Sequence, residues 1–280
     1  MPSLQFVTAP IEDARRSRLV FAGDLLVFRR VAALTRLQEH AETVLRDVAR
    51  TSDPSDPGLI RQARTAFGQH DATRDLFARM LSEVGVDLVR TYWDRPVLRI
   101  VPPDDRAAGT GTGTLELHRD TWGSNVLEQT NWWAPLRPLT PDRTLAFHLL
   151  HWDRPVPNDS ANWNLDTVKE GRRAGREVQL VPRPTRAPDP AGELRLMVEP
   201  GDLVCFSAAH LHGSVPNTTD QTRLSIEVRT VHLEDLRAGR RAPDIDGAAP
   251  HPPTWGWFRA IEGGQPLSET VDDVRLQPRG

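Results

Sequence analysis

Three residue types are scarce in this chain of 280 residues. Cys205 is the only cysteine, Tyr92 the only tyrosine and Lys169 the only lysine. A lone cysteine excludes an intramolecular disulfide and a zinc site built from several thiolates. Because lysine is nearly absent, almost all basic residues are arginine, which we attribute to GC-rich coding rather than to a function.

Long apolar runs and an excess of one charge sign are missing as well. No stretch approaches the roughly 20 apolar residues of a transmembrane helix. Arg15, Arg16 and Arg18 lie where a signal peptide would be apolar. A net charge of −3 and a pI near 6.3 give no sign of nucleic-acid binding. We therefore expect a cytoplasmic protein without a membrane or nucleic-acid partner.

The first third of the chain has the periodicity of amphipathic helices. Apolar residues recur at intervals of three and four over residues 30–50, which predicts one helix that ends at a segment with two prolines and a glycine. A second helical region is predicted over residues 59–89, with a break near His70. The first 28 residues are predicted to form an arm with one short apolar piece, Leu25–Phe28.

The pattern then changes to short strands separated by turn residues. Strands are predicted over residues 92–101, 115–120, 125–136, 145–152, 178–181, 193–198, 203–206 and 222–232. Helices followed by such strands predict an α+β chain with a jelly-roll core, the double-stranded β-helix of cupin-like proteins. We expect one domain over residues 1–280, made of a mainly helical cover (1–90), a jelly-roll core (91–232) and a tail packed on that core (233–280).

The segment Leu115-Glu116-Leu117-His118-Arg119-Asp120 carries the first functional signal. On a strand, His118 and Asp120 leave on the same face and Arg119 points away. An imidazole beside a carboxylate supplies two ligands of the two-His, one-carboxylate site that suits non-heme Fe(II) and leaves coordination positions open. Taken alone, so short a motif is explained as well by a histidine that is hydrogen-bonded within a wall.

A second segment gives this motif a partner. His212-Gly213-Ser214-Val215-Pro216-Asn217 precedes Arg223, which lies eleven residues after His212, and Pro200-Gly201-Asp202 comes before it. With the upstream His-x-Asp, these motifs resemble the signature of the phytanoyl-CoA dioxygenase-like Fe(II)/2-oxoglutarate oxygenases. The resemblance covers residues 92–231; the helices before it carry no motif of the family, and the tail after His232 is unmatched.

The resemblance implies a ligand set and a reaction. His118, Asp120 and His212 would bind Fe(II), with 2-oxoglutarate and O2 as cosubstrates. A small molecule would be oxidised by C–H hydroxylation, or by the related desaturation or cyclisation. In halogenases of this superfamily a small residue replaces the carboxylate, so the presence of Asp120 disfavours halogenation. An Arg-rich chain is associated with GC-rich bacteria and their specialised metabolism.

The resemblance also implies a cosubstrate site. Arg223 would hold the far carboxylate of 2-oxoglutarate, because a planar, permanently charged guanidinium suits a carboxylate better than lysine does. Ser225, on the same strand face, and Ser214, beside the metal histidine, would add hydroxyl donors. Trp133 matches an aromatic strand residue of the family less securely, and a place in the core is favoured for it over one in the pocket.

Several alternatives remain open from the sequence. His210 competes with His212 as the ligand, and Arg223 could pair with a surface carboxylate instead. A cupin-like metalloenzyme that does not use 2-oxoglutarate and a non-catalytic jelly-roll binding module are the competing functions. The segment Trp255-Gly256-Trp257-Phe258 could dock on the core or form a homodimer contact. Five further residues are candidates for the substrate side: Arg99, Gln129, Asn131, His148 and His151.

Overall fold

The helices and strands are those of a computed structural model that describes residues 2–51, 58–103, 115–176 and 178–276, with side chains as far as residue 271. Its strands are β1 (Leu4–Val7), β2 (Leu25–Phe28), β3 (Thr91–Trp93), β4 (Val97–Val101), β5 (Gln129–Pro135), β6 (Leu145–His148), β7 (Glu193–Arg195), β8 (Leu203–Ser207), β9 (His212–Ser214), β10 (Arg223–His232) and β11 (Arg259–Ala260). Its α-helices are α1 (Asp13–Phe21), α2 (Ala32–Thr51), α3 (Leu59–Gln69), α4 (Asp71–Glu83), α5 (Thr121–Ser124), α6 (Leu165–Arg173), α7 (Leu233–Ala238) and α8 (Leu267–Leu276).

The described strands form two sheets. The larger sheet has eight strands in the order β1-β2-β8-β5-β10-β3-β11, with β4 also paired to β10, and the smaller sheet has the order β7-β6-β9. All the pairings are antiparallel except the parallel pair of β1 and β2. The predicted α+β fold with a jelly-roll core is confirmed.

Side-chain alternation divides the larger sheet between two apolar layers. On β8, Val204 and Phe206 face the smaller sheet, whereas Leu203 and Cys205 face the helices. This is the period of two that a strand imposes on its side chains. The layer between the sheets consists of Leu25, Val27, Trp133, Leu145, Phe147, Leu196, Val198, Val204 and Phe206.

Helices α2, α3 and α4 cover the other face of the larger sheet. On α2, the buried residues Leu34, Leu37, Ala41 and Val44 follow the predicted spacing and contribute to the same apolar cluster as sheet residues such as Ile226. The predicted break at His70 is confirmed, since His70 ends α3 and its Nδ1 accepts a hydrogen bond from Ala72 N at the start of α4. Within the described residues, no helix has both the length and the apolar character needed to cross a bilayer.

The single thiol of the chain lies at the centre of the larger sheet. Cys205 on β8 is opposite Leu26 on one side and Trp132 on the other. It is fully buried, and burial raises the pKa of its thiol to about 12. It is therefore a core residue without a role in metal binding.

The N-terminal segment differs from its prediction. Residues 1–28 were expected to form an arm, but β1 and β2 are two strands of the larger sheet and β2 pairs with β8. All four residues of Leu25–Phe28 are buried. A short continuous apolar run is what a strand buried on both faces requires, and the arm was the wrong interpretation of it.

The C-terminal segment packs on the edge of the larger sheet. Trp255, Phe258 and Leu267 are buried in one cluster with Tyr92 of β3 and Val231 of β10. Strand β11 pairs with β3 and extends the sheet. The structure thus docks the Trp255–Trp257 turn on the core of its own chain.

Several of the predicted strands were wrong or too long. Residues 178–181 form no strand, and the segment predicted over residues 193–198 is a strand only in Glu193–Arg195. Strand β6 ends at His148, after which Leu149–His151 form a 3-10 turn. Proline-rich neighbours limit pairing in the first two cases, because proline has no backbone N–H to donate to a ladder.

Candidate metal centre

The His-x-Asp motif is not on a continuous strand, contrary to the prediction. His118 forms a single antiparallel bridge with His212, in which each backbone N–H donates to the other residue's carbonyl oxygen over 2.9 Å. The chain then turns, and Asp120 has helical dihedral angles at the start of α5. The bridge places the two imidazoles side by side, and the turn, rather than strand alternation, brings the carboxylate to them.

Three side chains converge at this point. The distance from His118 Nε2 to Asp120 Oδ1 is 3.6 Å, and that from His212 Nε2 to Asp120 Oδ2 is 4.0 Å. One ligand atom from each of the three residues lies within 4.8 Å of the others. Two imidazoles and one carboxylate in this arrangement form a donor set suited to a divalent transition metal, non-heme Fe(II) in particular.

Backbone carbonyl groups orient both imidazoles for metal binding. His118 Nδ1 lies 2.7 Å from Glu116 O, and His212 Nδ1 lies 3.0 Å from His210 O. A carbonyl accepts only, so Nδ1 carries the proton and Nε2 presents its lone pair. The buried His118 Nε2 has no hydrogen-bond partner among the described residues, as expected of an atom that serves as a metal ligand.

Aromatic side chains pack around the imidazole of His212, and burial sets its protonation state. The ring of Phe147 stacks on the imidazole with 5.6 Å between centroids, and Phe206 contacts it edge-on at 5.0 Å. Burial, reinforced by the neighbouring His118, lowers the pKa of His212 to about 4. The imidazole is therefore neutral at pH 7, which is the form that binds a metal.

The carboxylate is held in place by a chain of amides. Asn131 Nδ2 donates a hydrogen bond to Asp120 Oδ2, and Gln129 Nε2 donates to Asn131 Oδ1 over 2.8 Å. Arg229 Nη2 lies 3.6 Å from Asp120 Oδ1. Burial alone would raise the pKa of Asp120, but the charge of Arg229 and the interaction with His118 outweigh it and hold this pKa well below its usual range. Asp120 is therefore ionised.

Replacing Asn131 with leucine should weaken Fe(II) binding by about 10- to 100-fold, the usual effect of losing a residue that orients a metal ligand. Without the amide, Asp120 can rotate toward Arg229. Competition with a chelator of known affinity would measure this change. Asn217→Ala is the control. It removes another buried amide, which does not line the cavity beside the triad, and should lower stability without changing the metal affinity. Equal metal affinities for wild type and Asn131→Leu would contradict the orienting role.

A cavity, termed the inner cavity, connects the triad to Arg223 and Ser214. Arg223 Nη1 donates to Thr144 O over 2.8 Å, and Nη2 donates to Ser214 Oγ over 3.1 Å. Arg223 is only 3% exposed. These contacts hold the guanidinium in one orientation at the cavity wall, away from the protein surface.

The other two predicted cosubstrate residues differ in position. Trp133 lines the inner cavity and also belongs to the apolar layer between the sheets, so both sequence interpretations apply to it. Ser225 lies on the same face of β10 as Arg223 and is fully buried, but it is not part of the inner cavity wall.

The competing histidines lie outside the triad. His210 Nε2 contacts Gly23 O at 2.8 Å, its Nδ1 contacts Ser207 O at 3.1 Å, and its ring packs on Trp152. Burial lowers the pKa of His210 to about 4, against the effect of these carbonyl groups. His148 and His151 lie near each other. Neither of them lines the inner cavity or the second cavity that adjoins it. The structure thus places His212, and not His210, beside His118 and Asp120.

Sequence reasoning missed the charged network behind the carboxylate. Arg229 lies 3.5 Å from Asp94 and 3.6 Å from Glu227, in addition to its approach to Asp120. Arg99 pairs with Glu227. The alternation on β10 was the available signal: Arg223, Glu227 and Arg229 share the face that lines the inner cavity.

Gly213 provides the space that the His118 segment needs. A Cβ atom at this position would lie 3.0 Å from both the Cα and the N of Leu117. These are backbone atoms of the segment that carries His118, so the segment would have to move.

Replacing Gly213 with alanine should therefore destabilise the protein by about 1–3 kcal/mol and weaken metal binding, because His118 shifts from its partners. Thermal unfolding and metal titration measure the two effects. Gly256→Ala is the matched control, since a Cβ there meets nothing within 4 Å. A Gly213→Ala protein with wild-type metal affinity would show that the segment adjusts without moving His118.

Comparisons with known proteins identify the fold but not a family. No protein-family model matches the chain, and no curated protein matches it. The crystal structure of EvdO2 from Micromonospora carbonacea var. aurantiaca is similar, with a TM-score of 0.50 and 16% identity over 81% of this chain and 93% of that chain. EvdO2 complexed with 2-oxoglutarate has a TM-score of 0.47 and 15% identity over 81% and 93% of the two chains. EctD from S. alaskensis in its apoform has a TM-score of 0.48 and 16% identity over 92% and 89%. The first likeness shows a shared fold and nothing about chemistry, and the two scores below 0.5 add nothing to it.

Proposed function

We propose that this protein is a non-heme Fe(II)- and 2-oxoglutarate-dependent oxygenase that oxidises a small molecule. The observation that carries the proposal is the convergence of His118, Asp120 and His212 in one buried cavity that also contains Arg223. A metal site alone would fit many functions. A metal site that shares its cavity with a fixed, buried guanidinium fits a reaction with an anionic cosubstrate.

Each residue has a defined task in this proposal. His118, Asp120 and His212 would hold the iron, their orientation being fixed by Glu116 O, His210 O and Asn131. Arg223 would bind the far carboxylate of 2-oxoglutarate, with Ser214 positioning the guanidinium and able to donate its own hydroxyl. When bound, iron and 2-oxoglutarate would together activate O2, with succinate and CO2 as the coproducts.

The inner cavity also isolates the reaction. Trp133 and Phe206 form apolar parts of its wall next to the polar triad. An apolar wall excludes water and strengthens the attraction between Arg223 and a carboxylate, since charges interact more strongly at low dielectric.

The proposed outcome is hydroxylation, desaturation or cyclisation at an unactivated C–H bond. Asp120 is ionised, is held by Asn131 and has Arg229 beside it, so the carboxylate is built into the site. Halogenation needs a halide at the position that this carboxylate would occupy, and the proposal therefore excludes it.

The experiment that tests the proposal is anaerobic addition of Fe(II) and 2-oxoglutarate to the metal-free protein. We expect a weak metal-to-ligand absorption band in the visible, and succinate formation once air is admitted with a substrate. His210→Asn should keep the band and His212→Asn should lose it. A band that survives the combined Asp120→Ala and His212→Ala changes, or no band in the wild type, would falsify the proposal.

A further inference from the structure

A second cavity, termed the outer cavity, adjoins the inner one. The space between its walls is about 860 Å³, part of which is open to solvent. The two cavities share Arg99, Leu115, Asp120 and Arg229 in their walls. A molecule in the outer cavity can therefore reach the triad at Asp120.

One face of α6 forms a wall of the outer cavity. Its residues Leu165, Val168, Lys169 and Arg172 line the cavity, and their spacing of three, four and seven places them on one side of the helix. A different side packs on the chain that follows, since a Cβ at Gly171 would collide with Val178. The helix thus presents two apolar and two cationic side chains to the cavity.

Two tryptophans complete the apolar part of this wall. Trp163 is 8% exposed, and its Nε1 donates to Gln179 O over 3.1 Å, which fixes the indole. Trp257 is half-buried and comes from the C-terminal segment, where Trp255 and Phe258 anchor the turn in the core. The aromatic segment of the tail therefore contributes directly to a cavity.

The charges that line the outer cavity are mainly positive. Among the described residues that line it, Asp120 is the only carboxylate, against the cations Arg99, Arg119, Lys169, Arg172 and Arg229. Arg99, Arg119 and Arg229 are paired with Glu227, Asp246 and Asp94.

Lys169 and Arg172 differ from these three. Both side chains are exposed. Among the described residues Lys169 pairs with the exposed Asp166, at 3.0 Å, and such a surface pair is weak. Arg172 forms no ion pair with any residue in the described parts of the chain. Three residues apart on a helix, their side chains are close enough to contact one oxyanion together.

We propose that the outer cavity binds the substrate, and that this substrate is an amphiphilic organic anion. Its apolar or aromatic body lies against Trp163, Trp257 and the apolar residues of α6. Its carboxylate or other oxyanion is held by Lys169 and Arg172, which leaves the remainder of the molecule to extend toward Asp120. The inference rests on the proposed function in one respect, that the molecule bound here is the one oxidised.

The test compares two probes that share a naphthalene body and carry either an anionic or a neutral polar group, 2-naphthoate and 2-naphthalenemethanol. Their binding to the metal-free protein without 2-oxoglutarate is measured by titration calorimetry. We expect the carboxylate to bind about two- to tenfold more tightly than the alcohol, because ion pairs of exposed cations are weak. The combined Lys169→Glu and Arg172→Glu changes should abolish this preference. Arg173→Glu, an equal charge change per residue at an exposed site on the same helix outside the cavity, should retain it.

A second variant tests the apolar half of the site. Trp257→Ala should weaken both probes by a similar factor and leave their ratio unchanged, because it removes aromatic contact but no charge. Circular dichroism confirms that each variant is folded.

Three results would overturn the inference. They are equal affinity of the wild type for both probes, a loss of the preference for naphthoate in Arg173→Glu as large as in the double variant, and no binding of either probe by the folded protein. Probe binding needs no iron, so it is independent of the oxygenase test. A protein that prefers naphthoate but gives no visible band with Fe(II) and 2-oxoglutarate keeps this site and loses the proposed function. A protein that gives the visible band but shows no preference for naphthoate keeps the proposed function and loses the proposed anion site.

Discussion

Replacing Asp120 with alanine should abolish iron-dependent activity and weaken Fe(II) binding by more than about 100-fold, which exceeds the usual loss from a residue outside the ligand set. Two imidazoles would remain as ligands. Arg229, now 3.6 Å from the Asp120 carboxylate, would lose one of the three carboxylates near it and keep Asp94 and Glu227, which leaves more positive charge beside the metal. Fe(II) titration and the visible band with 2-oxoglutarate measure the effect.

The Asp120→Asn variant tests in the same experiment whether the charge of this side chain, rather than its shape, is needed for metal binding. Its carbonyl oxygen can still accept from Asn131, so the local packing is retained while the negative charge is lost. We expect metal affinity close to that of Asp120→Ala. An Asp120→Ala protein with a native circular dichroism spectrum and an unchanged band would rule out this carboxylate as a ligand.

Replacing Arg223 with glutamine should raise the KM for 2-oxoglutarate by at least about 30-fold, with little change in Fe(II) affinity. Losing one partner of a buried, hydrogen-bonded charge pair costs about 2–5 kcal/mol, and each 1.4 kcal/mol is tenfold. Arg223 is buried, and it contacts none of the three candidate ligands through its recorded hydrogen bonds. The two titrations, of metal and of cosubstrate, should therefore respond differently.

Arg223→Lys should not restore cosubstrate binding. The guanidinium contacts Thr144 O and Ser214 Oγ through different nitrogens, and a single ammonium cannot reproduce that planar arrangement. Ser214→Ala, which removes one positioning contact, should raise the KM by less than about tenfold. If the KM of Arg223→Gln equals that of the wild type, the cosubstrate anchor lies elsewhere.

Local periodicity was sufficient to predict the elements with one strongly apolar face. Helix α2 and strand β10 appeared at the expected places because each packs a regular apolar face against the same cluster. Strand β2 was missed because a run of four apolar residues does not by itself distinguish a strand from another buried segment; the similar run over residues 203–206 was assigned with the help of the turn before it. The strand character of β2 depends on β8, nearly 180 residues later in the chain.

The residues of the candidate site were predicted from the sequence, but the local structure that brings them together was not. His118, Asp120, His212 and Arg223 were found from residue types and offsets, yet the strand that was expected to align the first two is absent. A spacing of two is compatible with a strand and with a turn, and the motif does not distinguish them.

The residues that orient the ligands could not be assigned from the sequence. Asn131 and Arg229 reach Asp120 from different strands, and their roles exist only once β5 and β10 are paired. Both occupy regular alternating positions, where a polar residue is as readily interpreted as solvent-facing.

The reactivity of the buried Cys205 thiol can report how often the fold opens. A thiol reagent has one target here, and that target is fully buried between β2 and β5 with a pKa raised to about 12. Labelling therefore requires separation of the central strands, so its rate follows the population of opened molecules. Any ligand that binds only the closed form should slow labelling by the factor 1 + [L]/Kd. Mass spectrometry of this single reaction can thus rank metals, cosubstrates and unknown substrates by affinity without an activity assay.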